Sequence, residues 1–230
     1  MNLSKESFFS LETQVRQAGF NADLDTMKTR LLKKEHLSSS EFAKRAIYVV
    51  LAGGFKQQIA KKIHQEIMLY LQSSSPEIGT SYLNSELLKI FGNKNKINAI
   101  VNIWQNREKY HNDYYSLKNE PLEIKLSYLS QLPYIGPITK NHLARNLGED
   151  VPKYDIWVQR LCVAFSGRKD LKNKIDNSKL NPEIVKACDD MFEYIKQETG
   201  LPIGYIDLVL WRACEQQIIN KEHFSTTHRE

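Results

Sequence analysis

The chain has 230 residues, of which 41% are hydrophobic and 26% charged, and 32 basic against 27 acidic side chains leave a formal charge of +5. That composition excludes a disordered, collagen-like or membrane-spanning chain, and the length suits one large domain or two small ones burying about 70% of the unfolded surface. Cys162, Cys188 and Cys214 are widely spaced and form no CxxC pair, which argues against a disulfide framework or a cysteine-bound metal and for a reducing compartment. No apolar run reaches ~18 residues, and the opening lacks the pattern of a signal peptide, so a soluble cytoplasmic protein is expected.

In chain order, the spacing predicts two short helices over 9–18 and 22–35. Ser38-Ser39-Ser40-Glu41 then supplies a capping signal ahead of the apolar run FAKRAIYVVLA. Gly53-Gly54 interrupts that run, and a helix over roughly 56–72 follows with Ile59, Ile63, Ile67 and Tyr70 as its apolar face. Ser73-Ser74-Ser75-Pro76 breaks the chain. A short helix in SELLKIFG precedes a longer one in KINAIVNIWQNREKY, and the polar stretch from His111 to Glu120 separates that helix from LEIKLSYLSQ, which Pro121 can start. Helices near 136–146, 156–165, 182–199 and 203–219 complete the chain, with no period-two alternation, so the fold class is all-α. Three basic clusters, Lys56 with Lys61 and Lys62, Lys94 with Lys96, and Arg168 with Lys169, Lys172 and Lys174, could line one groove for a polyanion if the fold brings them together, while the net charge alone equally suits solubility.

The informative segment is LSQLPYIGPITKNHLARNLGEDVPKYDIWVQRL, Leu129 to Leu161. It reads as a helix, a tight turn from Leu132 to Pro137, a second helix, a loop, and Asp155 at the mouth of a third helix. A turn that opens a helix presents N–H groups the helix cannot satisfy, a seat for phosphate, and Gly136 leaves that backbone uncovered. Taken alone, this pattern is equally that of an αα-hairpin in a helical bundle, and Asp155 equally an N-cap for the helix beginning at Ile156.

Together these pieces resemble the helix-hairpin-helix (HhH-GPD) DNA glycosylase superfamily. Leu132-Pro133-Tyr134-Ile135-Gly136 is similar to that family's L-P-G-[IV]-G hairpin, with Tyr134 in place of the first glycine. Val151 to Arg160 is similar to V-x-D-x-H-[LIV]-x-R, with Trp157 where His is common. AIYVVLAGGFKQQIAKKI, FGNKNKINAIVNIW and IDLVLW resemble further family helices, so the resemblance spans about residues 40–215. The nearest groups are bacterial 8-oxoguanine-glycosylase-like proteins and anti-phage glycosylases.

The resemblance implies a helical subdomain over 37–146 that ends in the hairpin, a second made of 1–36 and 147–230 that carries the catalytic aspartate, and a DNA-binding cleft between them. It implies Asp155 as the catalytic carboxylate, stabilising positive charge on the sugar as the N-glycosidic bond breaks. Backbone contacts to double-stranded DNA fall to Tyr134, Ile135, Gly136, Pro137, Ile138, Thr139 and Lys140. The minor-groove wedge falls to Gly54, Phe55, Lys56 and Gln57, with Phe55 equally readable as core. The base pocket takes Trp157 and Gly53, with Trp157 equally readable as packing.

Strand-cutting relatives carry a nucleophilic lysine two residues after the hairpin glycine, and here Ile138 stands there, which cannot form a Schiff base. A monofunctional enzyme is therefore expected; separately, the chain is expected to be a monomer with no membrane partner and no side-chain metal site, and the resemblance implies no cofactor beyond a monovalent cation at the hairpin backbone. Lys140, about 200° round a helix from Ile138, is expected to face away from the chemistry. The substrate expectation is glucosylated 5-hydroxymethylcytosine of phage DNA, with 8-oxoguanine as the alternative and a non-catalytic DNA-binding module as the alternative of another class.

Overall fold

The computed structural model describes residues 4–75, 77–176 and 179–219, and every regular element among them is helical, as the apolar spacing predicts. α1 (Lys5–Val15) leads through a π-type turn to α2 (Asn21–Lys33), followed by α3 (Ser39–Ala52), α4 (Gln57–Ser73), α5 (Thr80–Ile90), α6 (Lys94–Gln105), α7 (Arg107–Ser116) and α8 (Leu122–Leu129). α9 (Thr139–Leu147), α10 (Ile156–Ser166), a 3-10 turn, α11 (Pro182–Thr199) and α12 (Ile203–Glu215) complete the order. Pro76, the expected chain break, lies outside the described residues, as do 1–3 and 220–230 of the second expected subdomain.

Local chemistry sets the boundaries. The Ser38 hydroxyl accepts from the amide of Glu41 at 3.2 Å, and the Glu41 carboxylate turns to Arg45 and Lys44 along the helix. Asn181 caps α11 ahead of Pro182, and Gly200, at φ +70°, ends it. The single helix expected from KINAIVNIWQNREKY is two, because Asn106 leaves helical geometry and its side-chain amide donates to the Asn102 carbonyl. The stretch expected as a polar connection is α7 as far as Ser116, held by the buried His111 and Tyr114. On α4 the buried face is Ala60, Ile67, Met68 and Leu71, while Ile59 is exposed, so of the predicted stripe only Ile67 is fully buried. Alternative i, i+4 stripes overlap on one helix, and the neighbours select which is covered.

The chain divides into two compact units, one containing the residues up to Lys34 with those from Gly148 onward, the other Glu35–Leu147. In the first, α1, α2, α10, α11 and α12 share a core built from Phe8, Leu24, Leu161, Phe192, Tyr205 and Val209. Its buried cation, Arg212, pairs with Asp23 and Glu215 and lies between the rings of Phe20 and Trp211. In the second, α3 packs against α4, α6, α7 and α9 and is buried at Phe42, Ala43, Ala46, Ile47 and Val49 to Leu51. α9 is buried from Asn141 to Leu147, and Arg45 donates to the Asn146 carbonyl at its end at 2.7 Å.

Candidate functional site

The hairpin is built in the second unit from α8, the turn and α9. The amide of Leu132 donates to Leu129 and that of Ile135 to Leu132, closing the turn, and Leu132 and Ile135 are buried beneath it. Between them Tyr134 takes φ +65° with its side chain half exposed. A left-handed tyrosine costs roughly 1 kcal/mol against a glycine. The residue that replaces glycine in the family pattern therefore stands at the left-handed position, whereas Gly136 has ordinary negative φ and a Cβ there would meet only the Thr139 hydroxyl at 3.9 Å. That hydroxyl accepts from the Gly136 amide at 2.6 Å, and Lys140 starts the helical ladder on the Gly136 carbonyl.

Ile138 precedes α9 and Lys140 is its second residue. The two do not share a helix, so the expected 200° separation does not apply; both are half-buried.

The α3–α4 turn lies in the same unit. Gly53 to Lys56 are exposed, Gly54 has φ +81°, and Phe55 retains 40% exposure, so its ring is not in the core. Beneath the turn sits a residue sequence reasoning assigned to a groove: Lys96 is only 3% exposed. Its ammonium donates to the carbonyls of Gly53 at 2.5 Å and Leu51 at 3.3 Å, closing the C-terminus of α3. It also lies 4.7 Å from the Phe55 ring centre and 5.7 Å from that of Tyr134. None of its contacts among the described residues is to a carboxylate, and burial pulls its pKa below the usual lysine value. The wedge and hairpin candidates are thus brought together by a lysine whose spacing gave no sign of it.

Asp155, Lys153 and Trp157 belong to the first unit. Tyr154 adopts φ +55°, fixed at both ends: its hydroxyl donates to Asp189, and its carbonyl accepts from the buried Gln159 at 2.9 Å. Burial first, then the hydrogen bond to Asp189 and its negative charge, raises the Tyr154 pKa. This bend sets Asp155 at the N-terminus of α10, where Oδ1 accepts from the amides of Trp157 at 3.0 Å and Val158 at 3.2 Å. Oδ2 faces the Lys153 ammonium at 3.3 Å, which also lies 5.3 Å from the Trp211 ring. Cys214 adjoins the carboxylate: burial first, then the negative charge of Asp155, pushes its thiol up to about 12.

Trp157 is half-buried against the core of this unit, with the Arg160 guanidinium 5.2 Å from its ring centre. Arg168 and Lys174, expected to line a groove, pair instead with Asp170 and Glu183. Among the described residues no cluster of His, Cys, Asp and Glu could hold a metal, and no helix is long and apolar enough to cross a membrane.

Chemically, the amides of Ile135, Gly136 and Lys140 are spent within the turn, which leaves the first residues of α9 to offer amides to an anion, and Asp155 offers a carboxylate oriented by backbone it does not need to reorganise. Comparison of the sequence with protein-family models and with curated proteins finds no significant match. The fold is similar to solved structures. An 8-oxoguanine glycosylase/lyase of Methanocaldococcus jannaschii, in complex with 15mer DNA containing 8-oxoguanine, aligns with a TM-score of 0.66 and 18% identity over 92% of this chain and 98% of its own. The 8-oxoguanine DNA glycosylase of Thermotoga maritima aligns with a TM-score of 0.64 and 16% identity over 89% of this chain and 95% of its own.

Proposed function

We propose that the chain is a monofunctional DNA glycosylase that flips 8-oxoguanine from duplex DNA and hydrolyses its N-glycosidic bond. The observation that carries this reading is Asp155, anchored through one oxygen at the mouth of α10 within a fold like that of 8-oxoguanine glycosylases along nearly the whole chain. The C1′–N9 bond breaks, the electron pair leaves with the base, the Asp155 carboxylate stabilises the resulting oxocarbenium-like sugar, and water adds its hydroxyl at C1′ while its proton goes to the departing base, leaving an abasic site and free 8-oxoguanine. Lys153 holds the second carboxylate oxygen in place before substrate arrives. Phosphates are taken by the amides at the start of α9 and by the Lys140 side chain. The 8-oxoguanine reading is preferred over glucosylated 5-hydroxymethylcytosine because both solved structures named above are 8-oxoguanine glycosylases.

Ile138 supplies no amine, so no Schiff base forms at the position where strand-cutting relatives carry lysine. The test is single-turnover excision on 8-oxoguanine duplex, glucosylated phage DNA and unmodified DNA, with alkali to reveal abasic sites. Asn caps a helix as well as Asp, so Asp155→Asn is expected to fold and bind DNA while excision falls about a hundredfold or more. Breaks appear with the 8-oxoguanine duplex only, and only after alkali. Retained excision in Asp155→Asn refutes the catalytic role. Binding without excision by the unsubstituted protein favours a non-catalytic DNA-binding module. A borohydride-trapped adduct that vanishes in Lys140→Ala or Lys153→Ala refutes the monofunctional assignment.

A further inference from the structure

Two half-exposed aromatic rings, Phe55 on the α3–α4 turn and Tyr134 on the hairpin, approach the same buried ammonium. Neither is held by burial: Phe55 is 40% and Tyr134 51% exposed, and among the described residues the ring beside Phe55 is Phe91, 5.5 Å away edge-on. Each also stands at a backbone point of unusual geometry, Phe55 directly after left-handed Gly54 and Tyr134 itself left-handed. Lys96 lies beneath both, tied by its two carbonyl contacts to the end of α3. A buried ammonium with no carboxylate partner among the described residues is costly even when two carbonyls accept from it, and closing one helix end does not call for an ammonium placed under two exposed rings. Flat apolar groups displayed beside an anion-binding hairpin suit a partner that is itself flat and apolar on its faces and anionic at its edge, which describes a base stack that has lost a member.

We propose that Lys96 is a positioning residue that holds Phe55 and Tyr134 as one two-ring edge, and that this edge occupies the space an extruded base leaves in the duplex. The proposal rests on the glycosylase reading. It adds Tyr134, a hairpin residue otherwise assigned to the backbone, as a second ring against the bases, and Lys96 as the group through which turn and hairpin act together.

The test separates stacking from folding by comparing a lesion that must be unpaired with one that is already unpaired. Single-turnover excision of 8-oxoguanine is measured in a fully paired duplex and in the same duplex with the lesion inside a short bubble. Lys96→Met is expected to slow excision from the paired duplex about tenfold or more while changing the bubble rate less than about threefold, because flipping is the step affected. Phe55→Ala with Tyr134→Ala, at exposed positions that do not threaten the core, is expected to give the same selective loss and to add nothing further when combined with Lys96→Met. Should Lys96→Met fail to fold by circular dichroism, this double variant carries the test alone. Equal loss on both substrates, or no loss on either, overturns the proposal and leaves the glycosylase reading standing. A wild-type protein that excises from neither substrate overturns both.

Discussion

At Asp155 the cap and the contact with Lys153 use different oxygens, so the proposed catalytic role does not compete with capping: Oδ1 is spent on two amides and Oδ2 faces Lys153. His64 carries a pH dependence of its own. Burial, joined by the repulsion of the Lys44 ammonium, lowers its pKa below 6.5, outweighing the Lys44 carbonyl that accepts from Nε2 at 2.9 Å and the attraction of Glu41. A depressed pKa means that the folded chain takes this proton less readily than the unfolded chain does. The associated stability is present above pH 6.5 and lost as pH falls through the folded value. Urea midpoints between about pH 7 and 5 are therefore expected to fall more in wild type than in His64→Gln, which keeps a donor for the carbonyl. Equal acid sensitivity in the two proteins contradicts this.

At the scale of the element, connections rather than helices carry the strict requirements. Gly148 follows α9 at φ +101°, and a Cβ there would lie 3.3 Å from the Arg30 carbonyl oxygen. Gly148→Ala is expected to cost about 1–3 kcal/mol in chemical denaturation. Gly136→Ala, with negative φ and open space, is expected to leave stability nearly unchanged, so any effect it has should appear in DNA affinity. A large stability loss for Gly136→Ala refutes that contrast. Helix existence was legible from spacing and capping signals: Ser38 caps α3 where the Ser-Ser-Ser-Glu run places the helix start. The split between α6 and α7 was not, because Asn106 tolerates both helix and break, and the decision lies in what α7 covers on α3.

For the whole molecule, a net charge of +5 spread over many paired side chains says little about DNA until one knows which lysines are spent. Lys96 is buried, and Arg168 and Lys174 are tied to acids. If the amides at the start of α9, Lys140 and the exposed Lys56, Lys61 and Lys62 meet the phosphates, duplex affinity by fluorescence anisotropy is expected to fall at least about tenfold between about 50 and 200 mM salt. Affinity indifferent to salt refutes phosphate-dominated binding.

The amino-acid sequence by itself determined the all-α class, the hairpin, and Asp155 at a helix mouth, because spacing, capping and turn chemistry act between residues near in the chain. Only the tertiary structure decided that Tyr134 bears the left-handed turn over a buried lysine, that Phe55 is displayed rather than packed, and that Lys153 engages the second oxygen of Asp155. The first two depend on parts of the chain distant in sequence that converge on Lys96. The third, though local in sequence, depends on a bend at Tyr154 that Asp189 and Gln159 hold from other positions, and helical periodicity carries no record of which side chain will fill the space beneath a turn.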